Sequence, residues 1–266
     1  MLLFAFIYLF LFSYILTVVS IPFVKKWALK RNVVAFPRED RLHKVATPLL
    51  GGVAIIFSFY TAILLNLFLA KISFPLIGDL ASELVPYSEG AIQNIDKLVV
   101  ILISGFLMFF LGLIDDLKAL GPKRKFAFQV LVGAVLYYKG IKISAFGGSE
   151  WVSLIVTVFW VAAITNSFNL LDNIDGLAGG VTCIATFILF LFCIKGGQIL
   201  IAIFLLTFLG SVLGFLRYNY PPAQIFMGDS GSLFVGFMMS ALTIMCTFYY
   251  ESEPSFVPVV APLMIL

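Results

Sequence analysis

Apolar runs of about 18 residues recur along this chain, each long enough for a helix to cross the roughly 30 Å hydrocarbon core of a bilayer. In lipid, a spanning segment must satisfy its own backbone N–H and C=O groups, and a run that does so within itself is a helix. The composition agrees: 62% of residues are hydrophobic, 12% are charged and 29 are Phe, with a mean hydropathy of +1.10. We therefore expect an all-α, polytopic integral membrane protein forming one transmembrane domain over residues 1–266. Spans are expected at 1–24, 49–70, 98–114, 122–138, 151–165, 177–194, 199–216 and 233–250, with a ninth starting at Phe256. Phe256 to Leu266 is only about 16 Å of helix, so the ninth span is incomplete and the chain is expected to be truncated at its C-terminus.

The first run, Met1 to Val24, has no basic residue before it and no small-residue cleavage site, so it reads as a retained helix rather than a cleaved signal. Cys183, Cys193 and Cys246 all fall inside apolar runs and read as small core residues. Alternation of the spans puts loops 25–48, 115–125, 166–176 and 217–232 on one side with 12 of the 17 Lys and Arg residues. Loops 71–97, 139–150, 195–198 and 251–255 fall on the other with 5. The positive-inside rule makes the first side cytoplasmic and leaves the N-terminus outside. A net charge of +3 gives no argument for nucleic acid.

Between the fifth and sixth spans lies Asn166-Ser-Phe-Asn-Leu-Leu-Asp-Asn-Ile-Asp-Gly176. It gathers Asn166, Asn169, Asp172, Asn173 and Asp175 in a chain otherwise poor in polar groups, and such groups at a membrane segment mark a site by default. In a helix, the i, i+3 spacing of Asn166, Asn169, Asp172 and Asp175 lines one face, which could hold a cation or a sugar. The bland alternative is a polar connection between helices.

Other loops on the same side carry carboxylates too. Asp115-Asp116 is followed by Gly121-Pro122, a helix stop and start, and then by Lys123-Arg-Lys125. Neighbours on a helix point about 100° apart, so one aspartate is expected to act on a metal or substrate and the other to be structural. Lys123 and Arg124 read as snorkelling residues, and Lys125 as the phosphate contact. Asp229, in Gly228-Asp-Ser-Gly231, is either a metal ligand or the cap of the eighth helix. Gly228 would let backbone approach a ligand and Phe226 offers a flat face for a base. The first loop holds seven basic residues, explained as a topology anchor, together with the only histidine, His43, beside Lys44, Thr47-Pro48 and Gly51-Gly52.

From about Arg41 to Ser232, the chain resembles the polyprenyl-phosphate N-acetylhexosamine-1-phosphate transferases. The resemblance rests on Asp115-Asp116 with Lys125 ten residues on, on Asn166 to Ala178, and on Asn219 followed by Phe226-Met-Gly-Asp-Ser-Gly231. It implies Mg²⁺, with Mn²⁺ as a substitute, held by Asp229, and Asp115, Asp116 and Asp172 around the reacting phosphates, Asp172 sharing the metal. It places Lys125 at the diphosphate, and Phe226, Asn219 and Asp175 near the nucleotide, with Asn166, Asn169, Gly228, His43 and Lys44 in the substrate site. The partners implied are a UDP-N-acetylhexosamine, a polyprenyl phosphate and membrane lipid, and a homodimer is open. Arg41, His43 and Lys44 resemble the branch using UDP-N-acetylglucosamine more than the one using the muramoyl-pentapeptide donor. The implied reaction is attack of a lipid phosphate on the sugar-bound phosphorus, expelling UMP, in a bacterial plasma membrane with the site facing the cytoplasm. In the family, a histidine-rich loop and further helices follow the point where this chain stops.

Two other classes fit less well. A transporter would place ionisable groups near the bilayer midplane, and these spans carry no charge in their interiors. A CDP-alcohol phosphatidyltransferase would match Asp172-Asn-Ile-Asp-Gly176 but then needs an Arg after Ala178 and two more aspartates, whereas Gly179 follows and the next span has no acid. A structural scaffold leaves three acidic clusters on one side unexplained.

Overall fold

The computed structural model describes residues 2–35, 46–77, 85–143 and 149–247, and their side chains except at 70–77 and 85–94. Eight helices form in chain order: α1 (Leu2–Lys30), α2 (Gly51–Ile77), α3 (Val85–Leu117), α4 (Pro122–Tyr138), α5 (Glu150–Leu171), α6 (Leu177–Lys195), α7 (Ile199–Asn219) and α8 (Gly228–Thr247). Each expected span from the first to the eighth falls on one of them, and the expected ninth lies outside the described residues. Among the described residues, seven helices are long and apolar enough to cross a membrane. The other, α4, has 17 residues and starts with Pro122, its missing N–H costing nothing in a first turn.

Two sequence expectations need correction. The segments 71–97 and 166–176 were expected as loops, yet helix continues to Ile77, resumes at Val85, and runs through Asn166 to Leu171. Apolarity reports where lipid ends, whereas a helix ends where its backbone loses partners, so helices outrun their apolar stretches. The all-α expectation also missed a small antiparallel ribbon in which Val34 faces Pro48 and Ala35 faces Thr47.

The bundle is built around α8. Of its spanning window 89% is buried, against 22% for α1, and it touches α2, α3, α5, α6 and α7. Without a hydrophobic drive between helices in lipid, close backbone approach does the packing, which favours small residues. Gly112 of α3 is the clearest case: a Cβ there would lie 2.1 Å from the Asp229 carbonyl oxygen. The first loop is strapped to the same place, because Phe226 N–H donates to the Pro48 carbonyl and Gly51 N–H to the Phe226 carbonyl, both at 2.9 Å. The C-terminal ends of α3, α5 and α7 and the N-terminal ends of α4, α6 and α8 thus meet at one end of the bundle.

Gly112→Ala should push α3 off the start of α8 and lower stability by about 1–3 kcal/mol, the usual range for overpacking. A thermal-unfolding midpoint in detergent equal to wild type would show that the two helices do not meet there.

Candidate active site

At this end, α3 delivers two adjacent aspartates with different partners. Asp115 Oδ1 accepts the Leu120 N–H at 2.6 Å and Oδ2 accepts from Lys125 Nζ at 2.7 Å, closing the short turn between α3 and α4. Asp116 points instead at the start of α8, where its two oxygens accept the N–H groups of Asp229 (2.8 Å) and Ser230 (3.0 Å). These are first-turn N–H groups that no intrahelical carbonyl can reach, and a carboxylate there also faces the positive end of the helix dipole. Asp116 is thus the cap of α8, supplied from another helix. Gly228, at φ +75°, makes room for it, since a Cβ there would come within 2.8 Å of Asp116 Oδ2.

Asp229 is thereby relieved of the capping role. Its carboxylate accepts from Lys125 Nζ at 3.2 Å and from the Asn169 side-chain amide, which also donates to Ser232 Oγ at 2.7 Å. The Asp229 side chain is 29% exposed and that of Asp115 only 7%, so Asp229 is the one that a ligand reaches. Lys125 bridges the two carboxylates.

Asp172 is the C-terminal cap residue of α5, directly after Leu171. Its carboxyl is held well above the ordinary carboxylate range, first by desolvation and then by the negative charges of Asp229 and Asp116, with the Gly228 N–H pulling the other way. Those couplings place it in the same cluster.

The remaining expected residues form a supporting layer. Asp175 accepts the Ala223 N–H at 3.0 Å, tying the α5–α6 turn to the α7–α8 loop. Asn219, buried at 3% exposure, accepts from Gly176 N–H and donates to the Ile225 carbonyl, each at 3.0 Å, so both ends of its amide are spent on main chain. Phe226 is 9% exposed, leaving little ring for a base to lie on in this arrangement. Asn166 stands apart, donating at 2.6 Å to Gln129 Oε1 and at 2.7 Å to the Ala162 carbonyl. Lys123 and Arg124 are exposed, as snorkelling residues would be. His43 and Lys44, with Arg41, lie outside the described residues.

Sequence reasoning missed Gln129 and Ser232. Gln129 is fully buried on α4 and joins that helix to α5 through Asn166; its signal is a lone amide in the apolar run 122–138. Ser232 gives Asn169 its second partner.

Chemically, Asp115 and Asp229 share one lysine while Asp116 and Asp172 add their carboxyls beside Asp229, a surplus of acidic groups suited to a cation. The donors are hard carboxylate oxygens, fitting Mg²⁺, which usually takes one or two carboxylates and keeps several waters. Among the described residues, no three acidic, His or Cys groups form a ready-made metal cage. Of the four, Asp229 spends its oxygens on side-chain donors, while Asp172 accepts the Gly228 N–H.

The chain is similar to known proteins over most of its length. The sequence model of glycosyl transferase family 4 matches residues 98–247, from α3 to the end of α8. The chain is 32% identical over 265 residues to a Bacillus subtilis (strain 168) protein named "Probable undecaprenyl-phosphate N-acetylglucosaminyl 1-phosphate transferase", covering 97% of this chain and 66% of that one. It is 31% identical over 245 residues to a decaprenyl-phosphate N-acetylglucosaminephosphotransferase of Mycolicibacterium smegmatis, covering 85% and 56%. To a phospho-N-acetylmuramoyl-pentapeptide-transferase of Streptococcus agalactiae it is 32% identical over 248 residues, covering 87% and 70%. The chain belongs to glycosyl transferase family 4. It spans 66% and 56% of the lengths of the Bacillus and Mycolicibacterium relatives.

The raised Asp172 carboxyl has a pH signature. A group raised in the fold contributes fully below its unfolded value, about 4, and that contribution is lost as pH rises through the folded value. With chelator present, Asp172→Asn should therefore melt above wild type at pH 8, the gap closing toward pH 4. A gap that widens on acidification would show that Asp172 is held ionised instead.

Proposed function

We propose that this protein transfers N-acetylglucosamine 1-phosphate from its UDP-linked donor to a polyprenyl phosphate, releasing UMP. The observation that carries this reading is the accessible Asp229, beside Lys125 and Asp172, at one end of a membrane bundle. A lipid-borne phosphate and a water-soluble nucleotide-sugar can meet at such a place. The relatives named as undecaprenyl- and decaprenyl-phosphate N-acetylglucosamine phosphotransferases support it.

Phosphoryl transfer needs positioning and neutralisation of developing charge more than covalent chemistry. Asp229 and Asp172 would hold Mg²⁺, which when bound supplies Lewis-acid neutralisation of the phosphate oxygens. Lys125, fixed by Asp115, contributes the protein's own positive charge at the diphosphate. Asn169 orients Asp229 and Asp116 fixes the helix that carries it, so neither has to reorganise as charge moves. Gly228 keeps the backbone clear at the same point, while Asp175 and Asn219 shape the loop toward the nucleotide. On the resemblance alone, His43 and Lys44 would contact the donor. The attacking oxygen of the lipid phosphate bonds to the sugar-linked phosphorus as the bond to the UMP oxygen breaks.

Asp229→Asn keeps size and leaves the α8 cap to Asp116. It should fold within about 1 kcal/mol of wild type and lose roughly two to three orders of magnitude in turnover, several kcal/mol of charge stabilisation. UMP release measured with undecaprenyl phosphate and UDP-N-acetylglucosamine checks this. Near-normal release by Asp229→Asn would remove it from the chemistry. The Streptococcus relative favours a second reading, with the muramoyl-pentapeptide donor. Measured on a chain extended through the histidine-rich loop of the family, release with that donor alone would select it, and release with neither would defeat both.

The basic-residue bias supports an external N-terminus with the aspartate end in the cytoplasm, and the bacterial relatives support a bacterial plasma membrane. In a background lacking the native cysteines, thiols placed at Lys118 and Ala223 should resist an impermeant reagent in intact cells, and one at Ser149 should react. The reverse pattern would invert the topology.

A further inference from the structure

Three cysteines lie in the apolar runs, and two of them meet: Cys193 of α6 and Cys246 of α8 bring their sulfurs to 2.9 Å. Helix packing sets this meeting rather than one adaptable side chain. Seven residues earlier on each helix, Thr186 Oγ1 contacts Met239 Sδ at 3.3 Å, so α6 and α8 run parallel and meet again about two turns later. Both helices start at the aspartate end, at Leu177 and Gly228. At ~1.5 Å rise per residue the cysteine pair sits about 25 Å further along, at the opposite end of the bundle. On the topology proposed above, that end faces outside, where disulfides persist. Cys193 is buried and Cys246 is the less buried of the two, so Cys246 is the one an incoming reagent meets first.

We propose that Cys193 and Cys246 form a disulfide that fastens α6 to α8, the helix carrying Asp229, with a disulfide-bearing donor as oxidant. The Cys246 thiolate attacks the donor's S–S bond and releases one donor thiol, giving a mixed disulfide. The Cys193 thiolate then attacks the Cys246 sulfur and releases the second. Two protein thiols are oxidised by two electrons, one donor disulfide is reduced, and the two protons pass to the departing thiols. Cys183, further back on α6, is left as the single thiol.

The test uses the whole chain in detergent, reduced, freed of reductant and incubated with oxidised glutathione. After acid quench and denaturation, maleimide labelling read by mass spectrometry should fall from three labels per chain to one, with a 193–246 crosslinked peptide and two glutathione thiols released. Cys183→Ser should then take no label, and neither Cys193→Ser nor Cys246→Ser should yield the crosslink. Three labels retained, a stable glutathione adduct without closure, or a crosslink through Cys183 would each overturn the proposal. A failure here leaves the transferase reading intact, because UMP release is measured separately.

Discussion

The carboxylate of Asp116 holds the site in place. Two N–H groups in the first turn of α8 have no acceptor within their own helix, and Asp116 accepts both from α3. A cap drawn from a distant helix fixes position as well as satisfying donors. It ties the ends of α3 and α8 together where Gly112 lets their backbones touch, and it leaves the neighbouring Asp229 side chain free to face Lys125 and Asn169.

A cost accompanies this geometry. Four carboxylates at one end of an apolar bundle repel one another, and the protein offsets that with Lys125 between Asp115 and Asp229, with amide donors on Asp229 and with N–H groups on Asp116. Asp172 receives the least of this help, and its carboxyl is accordingly the one driven far from its ordinary range. Unrelieved charge of this kind is what a bound cation and a phosphate chemistry would use, and it marks a site rather than a stabilising network.

Much of this was legible in the residues. Eight apolar runs became eight helices because lipid leaves the backbone no other partner, but the i, i+3 spacing of Asn166, Asn169, Asp172 and Asp175 did not make one helical face, since α5 ends at Leu171 and Asn166 turns to Gln129 while Asn169 turns to Asp229. Asp115 and Asp116 were expected to divide, one acting on a metal or substrate and the other structural, and both carry structural contacts, Asp115 to Leu120 and Lys125 and Asp116 to the start of α8. The Asp116 contacts depended on N–H groups more than a hundred positions away, invisible to any local pattern. For Asp229 the residues left metal ligand and helix cap as alternatives, and the cap role is taken by Asp116 from outside the helix. Gln129 is one polar residue among apolar ones in the sequence, and its role shows only in the fold, where its buried amide pairs with Asn166.

Backbone amide hydrogen exchange at Asp229 and Ser230 tests that cap most directly. In the wild-type protein both amides should be protected, and Asp116→Ala should speed their exchange on the order of fivefold to thirtyfold, the equivalent of the 1–2 kcal/mol a lost cap costs. Exchange in the middle of α5 should stay as it was. Unchanged protection at Asp229 and Ser230 in the Asp116→Ala protein would contradict the account, since α8 would then be held in place by something other than Asp116.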